Sequence, residues 1–314
     1  MRGRRFARLT FEIPSMQIRL NKSAVLAAVV SLALCPAVFA QSTADAPAAA
    51  APASKDVKTS FDRAINADNN WYFSWGYSRQ QYAPSDIHVS QPGLGNDFTV
   101  HQTAASDFPT SIEDTIKSTL NLELTNPQEN VRIGKFMNPE KTFAIEFSID
   151  HSKYNTDYNQ SVQITGTAPQ TGNVTLTPQN FNYALHNGLN HLMVNAVWLH
   201  HLRGPVQQPG DLQLISRVGA GILLPHADNT IFGKENQVGP KNTNVCCGSG
   251  DWWQVNGWTA GVEVGVRYTV YKSIYLELTQ KFAYGVLRNV PVYQGTADQN
   301  IWMSEQVLST GFLF

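Results

Sequence analysis

The chain has 314 residues, a formal net charge of −1, and 15% charged against 42% hydrophobic residues. That balance leaves no basic footprint for nucleic acid, and no apolar run reaches the roughly 20 residues a membrane helix needs. The length would allow a large soluble core, so the pattern along the chain has to choose the class.

Arg19, Asn21 and Lys22 precede an apolar stretch from Ala24 to Leu34, which Pro36 soon ends. A charged start, a short hydrophobic centre and the small-residue site Val38-Phe39-Ala40 predict a signal peptide over residues 1–40, with Met16 as a second candidate start. Residues 41–68 begin with an Ala/Pro-rich run that cannot bury enough apolar area to order itself, which predicts a linker. Residues 69–314 carry a different pattern.

From Trp71 the periodicity is two. Trp71, Phe73, Trp75 and Tyr77 alternate with Tyr72, Ser74, Gly76 and Ser78. Val131 to Met137 follows, then the turn Asn138-Pro139-Glu140-Lys141 and a partner strand with Phe143, Ile145, Phe147 and Ile149 on one face. Further strands are predicted at Leu189–Leu202, Leu214–Leu224, Gly257–Tyr271, Ile274–Lys281 and Asn300–Phe314. The clearest is Gly257–Tyr271: Trp258, Ala260, Val262, Val264, Val266, Tyr268 and Val270 alternate with small or charged residues. Successive strand side chains point to opposite faces, so this is an unbroken apolar stripe, with Trp258 and Tyr268 near the two places where a spanning strand would meet the lipid interfaces.

The connections alternate in length. Asn138–Lys141, Arg203–Asp211 and Tyr271-Lys272-Ser273 are short, whereas Ala83–Asn130, Asn155–Gly188 and Pro225–Asn256 are long. Short turns on one side and long loops on the other predict an all-β fold, an antiparallel up-and-down transmembrane β-barrel with turns in the periplasm and loops outside. Eight strands are counted, with ten as the alternative, and an even number returns both termini to the periplasm.

The face opposite the apolar stripe would carry Arg132, Glu146, Asp150, Arg217, Glu263, Arg267, Glu277 and Lys281, with Asn195 as a neutral member. An eight-stranded barrel is just wide enough inside for its own side chains, so these charges are expected to pair across the lumen and block it. Glu263 and Arg267 lie about 13 Å apart along one strand. Their partners therefore have to come from other strands: Glu277 and Lys281 next door, or Glu146 and Asp150 across the barrel.

The C-terminal run Leu308-Ser309-Thr310-Gly311-Phe312-Leu313-Phe314 resembles the last strand of Gram-negative outer-membrane proteins, which ends in Phe after alternating apolar residues. Leu308, Phe312 and Phe314 keep that pattern; Gln306 and Thr310 depart from it. The chain from Trp71 onward resembles the OmpA/OmpX-like eight-stranded superfamily. The stretches Ser74-Trp75-Gly76-Tyr77-Ser78-Arg79, Ser85-Asp86-Ile87-His88 and Asn96-Asp97-Phe98-Thr99-Val100-His101 are similar to a bacterial outer-membrane family with no assigned activity. The resemblance implies a bacterial outer-membrane location, contact with outer-membrane lipid and lipopolysaccharide, and handling by the barrel-assembly machinery during biogenesis.

Asp86, His88 and Ser90 alternate, so an extended strand puts all three on one face. The arrangement resembles the neighbouring His and Ser of outer-membrane lipid A deacylases, although no oxyanion donor or glycine-flanked nucleophile accompanies it. His186, His191, His200 and His201 are dense but lack the spacing of a zinc site and are expected at the interface or periplasmic rim. Cys246 and Cys247 leave two readings open, a vicinal disulfide or two neighbouring thiols. Trp252 and Trp253, with Asp251 and Trp258, could bind sugar, lipid headgroups or protein, or pack as a lid on the barrel mouth. No cofactor, metal or nucleic acid is expected, and the surface partner is not named by the sequence. The leading reading is a non-enzymatic barrel with a structural, envelope-integrity or surface-binding role and a charge-plugged lumen. The alternatives are a lipid A-modifying hydrolase and a narrow small-solute channel.

Overall fold

The structure, a computed structural model, describes residues 69–107, 128–236 and 253–314, and within them not the side chains of His186 and Asn187. The predicted signal peptide and linker, together with Cys246, Cys247, Asp251 and Trp252, lie outside the described residues. The strands in chain order are β1 (Trp71–Tyr82), β2 (Ser85–Gln91), β3 (Asn96–Thr103), β4 (Ala105–Ser106), β5 (Glu129–Phe136), β6 (Phe143–Thr156), β7 (Ser161–Thr167) and β8 (Gly172–Thr175). They continue as β9 (Phe181–Arg203), β10 (Leu212–Pro225), β11 (Asp228–Ile231), β12 (Lys234–Glu235), β13 (Gly257–Tyr271), β14 (Ile274–Val292) and β15 (Gly295–Leu313).

Eight of them close a ring, β1-β5-β6-β9-β10-β13-β14-β15, whose last member pairs antiparallel with the first from Tyr72↔Leu313 to Tyr82↔Met303. The seam is finished by backbone bonds in both directions between Trp71 and Phe314, at 2.8 and 2.9 Å, so the first and last strands meet at the short-turn end. The turns there are tight. Asn138 accepts from the Thr142 and Phe143 backbones at 3.1 and 3.0 Å, and Lys272 turns the chain with a left-handed φ of 45°.

The ring is apolar outside and polar inside, the inverse of a soluble barrel. Val194, Val218, Val262 and Val264 are about half exposed on the outer wall. Trp258, Tyr284 and Trp302 stack as a rim at one end, with centroids 6.0 and 4.7 Å apart, while Trp71, Trp198, Tyr268 and Phe312 mark the other. An apolar belt between aromatic rims is the construction of a transmembrane β-barrel.

The long connections differ from expectation. They are largely strand: β2, β3 and β4 lie in the first, β7, β8 and the start of β9 in the second, and β11 and β12 in the third. β9 runs for 23 residues and β14 and β15 for 19 each, so the wall continues past the Trp258–Trp302 rim as a β-structured extension. The reason is already in the side-chain pattern. Ile87 and Val89, Phe98 and Val100, and Val162 and Ile164 alternate with polar residues and turn inward onto Phe181, Tyr183 and Leu287 in one core. These runs are too short to span a membrane but long enough to pair.

Candidate functional site in the lumen

Inward parity decides which side chains meet inside the ring. Arg132 on β5, Glu146 on β6, Arg217 on β10, Glu263 and Arg267 on β13, and Glu277 on β14 are all buried. Arg217 sits among three carboxylates. Its Nε donates to both oxygens of Glu146 at 3.1 and 3.2 Å, Nη1 donates to Glu263 at 2.9 Å, and Nη2 lies 2.8 Å from Glu277. Arg132 enters from the side of the ring opposite β13 and donates to the same Glu263 oxygen at 2.8 Å. The Glu263 contact therefore spans the width of the lumen.

Arg267 closes this tier toward the short-turn end. Its Nε donates to Glu277 at 2.9 Å, and its guanidinium lies 4.0 Å from the centroid of Tyr275 and 4.8 Å from that of Tyr72. Tyr72 donates its hydroxyl to Glu146 at 2.8 Å. Both rings occupy space that glycine provides: a Cβ at Gly134 would stand 2.2 Å from the Tyr72 ring, and one at Gly311 would stand 2.4 Å from that of Tyr275. Below them Phe136, Val197, Leu199 and Ile215 complete a small apolar floor.

A second tier lies toward the extension. Lys281 on β14 reaches across to Asp150 on β6, and its Nζ is also 3.5 Å from Glu305 on β15. Asp150 accepts from Asn130, and Glu305 accepts from Gln80 at 3.0 Å. His191 is buried beside Asp150 in the ladder register, with Nδ1 3.1 Å from the Thr259 hydroxyl. It is an interior residue, not the rim histidine expected from its neighbours, because its parity is opposite to that of Leu192 and Val194. The apolar core of the extension lies above. Charges removed from water are tolerated only when paired and hydrogen-bonded, and the two tiers supply those partners.

All eight charges predicted for the interior lie in these tiers. Sequence reasoning missed Glu305, Tyr72, Tyr275 and Asn130. Glu305 was within reach, since its parity is opposite to that of Leu308 and Phe312. The tyrosines face inward as aromatics among polar neighbours, and only their fit over Gly134 and Gly311 explains them.

The remaining candidates are dispersed. Asp86, His88 and Ser90 share the outer face of β2, as their spacing required. His88 Nε2 lies 2.8 Å from Asp97, while Asp86 is 3.0 Å from His101 Nδ1 and accepts from the Gln102 N–H at 2.8 Å. Among the described residues Ser90 has no side-chain hydrogen bond, so His88 is oriented by Asp97 and not toward a nucleophile. Slight burial pushes the Asp86 carboxyl up, but the Gln102 N–H and His101 more than offset it and hold the group below its ordinary range. His200 is exposed and His201 meets Asp211 at 2.9 Å, both at the short-turn end. No group of three or more His, Cys, Asp or Glu suited to a metal occurs among the described residues. Trp253 is half-buried, and Trp258 belongs to the outer aromatic rim, not to a loop cluster. Leu308 and Phe312 lie on the outer face of β15, with Phe312 between Phe73 at 5.7 Å and Phe314 at 5.5 Å.

No family model matches the chain, and no curated protein matches it. Solved structures similar to it include Neisserial surface protein A, at 12% identity over 78% of this chain and 97% of that one, with a TM-score of 0.32. Ail of Yersinia pestis, in complex with the heparin analogue sucrose octasulfate, has 9% identity over 78% and 97%, with a TM-score of 0.29. The outer membrane protein OprG from Pseudomonas aeruginosa has 9% identity over 78% and 96%, with a TM-score of 0.33. The barrel itself is read from its own hydrogen-bond ring and belt.

Proposed function

We propose that the protein is a bacterial outer-membrane barrel with both chain ends toward the periplasm, acting through its surfaces in envelope integrity or in binding at the cell exterior. The observation behind this reading is the filled lumen. The Arg217 tier crosses the barrel from wall to wall, with an apolar floor beneath it and an apolar core above. Such an interior supports no solute path, which leaves the outer wall and the extension to carry function. The extension offers a hydrogen-bonded polar face on β2, β3 and β7, including His88, Asp97, His101 and Thr165. The purified protein in planar bilayers should show little or no steady conductance. Large stable pores would put the narrow-channel reading first.

A lipid A-modifying hydrolase is the second reading, favoured only by His88 being held by Asp97 on the face that carries Ser90. The missing bond between His88 and Ser90 weighs against it. Mass analysis of lipid A with and without the protein separates the two.

A further inference from the structure

Every outward residue of β13 from Trp258 to Tyr268 is apolar, as a lipid-facing wall requires. The outer face of the seam is different. Gln280 on β14, Gln306 on β15 and Arg79 on β1 lie side by side in one ladder row, with Ser304 and Gln81 in the row above. Leu278, Leu308 and Tyr77 form the row below, and Tyr284 and Trp302 lie above, so the polar row sits inside the apolar belt and not beyond it. Gln306 and Thr310 are the two residues that broke the alternation expected of a terminal strand.

The row is incompletely satisfied. Gln280 donates to the Ser304 hydroxyl at 2.9 Å, and Arg79 donates to Asp107 at 2.8 Å. Gln306 is exposed and has no side-chain hydrogen bond among the described residues. A primary amide facing hydrocarbon is costly, because lipid tails cannot hydrogen-bond. At this depth only another protein surface can supply a partner.

We infer that the β14–β15–β1 seam is the docking surface for a second copy of this chain. Three features fit that occupant. An amide carries both donor and acceptor, so Gln306 of one copy can bond its two-fold mate in both directions. The only charge in the row, Arg79, is already neutralised by Asp107, so two copies of the patch meet without repulsion. The flanking Leu278, Leu308, Phe282 and Trp302 provide apolar contact around the polar centre, as membrane interfaces use it. Asp107 and Gln128, the described residues on either side of residues 108–127, both bond to the edge of β1 away from β15.

The test uses the full chain with Cys35, Cys246 and Cys247 replaced by Ser, assembled in membranes, and carrying Gln306→Cys, Gln280→Cys or, on β9 across the ring from β15, Val194→Cys. A short bismaleimide should link the two seam variants into dimers and leave Val194→Cys monomeric. The unlinked cysteine-free protein in nanodiscs should show twice the monomer mass, falling to the monomer value in Gln280→Leu/Gln306→Leu. Heat-modifiable gel mobility confirms that each variant is assembled, and the two seam positions stand in for each other if one fails to assemble. Monomer mass without seam cross-linking overturns the inference, as does equal linking at Val194→Cys.

Discussion

Tyr72 lies against Gly134 so closely that a Cβ on residue 134 would stand 2.2 Å from its ring, and the same tyrosine donates to Glu146 at 2.8 Å. The glycine thus positions the ring that caps the charged tier. Gly134→Ala should displace Tyr72 and destabilise the barrel by about 1–3 kcal/mol, the usual cost of overpacking. Urea titration of the heat-modifiable band reads this. An unchanged midpoint would show that the ring moves aside freely.

Removing Arg217 leaves Glu146, Glu263 and Glu277 short of their shared cation inside a narrow, buried interior. Arg217→Ala should cost about 3–5 kcal/mol, the range for breaking a buried pair. Adding Glu263→Gln should recover part of the loss, because it removes one of the stranded charges. Strict additivity of the two substitutions, measured in the same titration, would mean that the two residues do not share a network.

Arg267 stands between the tier and the apolar floor, packed on Tyr72 and Tyr275. Arg267→Ala opens space at that level and leaves Glu277 with one partner fewer. Single-channel recordings should show higher and noisier conductance than the parent protein. A silent Arg267→Ala in an assembled barrel would place the seal elsewhere, in the core of the extension.

The Asp86 carboxylate is favoured in the folded extension by the Gln102 N–H and His101, so its folded pKa lies below the unfolded one. A depressed acid contributes stability above its unfolded pKa of about 3.9, and that contribution disappears as pH falls through the folded value. The Gln102 amide proton should therefore titrate with a midpoint below about 3.9 in NMR spectra, and Asp86→Ala should abolish the titration. A midpoint above that value would mean that the hydrogen bonds do not favour the charged form.

His88→Ala and Ser90→Ala should each leave lipid A composition unchanged in mass spectra of cells expressing the protein. A change in acylation that requires both residues would reverse the order of the two functional readings.

Period-two alternation fixes parity, and parity needs no knowledge of the fold. That is why the sequence alone defined Gly257–Tyr271 to its end residues, set the lumen charges opposite the apolar stripe, and put Asp86, His88 and Ser90 on one face. It also excluded a Glu263–Arg267 pair, since their separation follows from strand rise alone. Which charges meet across the lumen depends on ring closure and stagger, properties of eight strands together, and these brought Arg132 and Arg217 to the same oxygen of Glu263. The extension was hidden for a related reason. Runs as short as Ile87–Val89 or Val162–Ile164 are apolar on one side, but only pairing with neighbours distant in sequence turns them into a wall with a core. Tertiary structure likewise made Gln306 conspicuous, because a polar residue in a terminal strand becomes part of a lipid-facing row only when Gln280 and Arg79 arrive beside it.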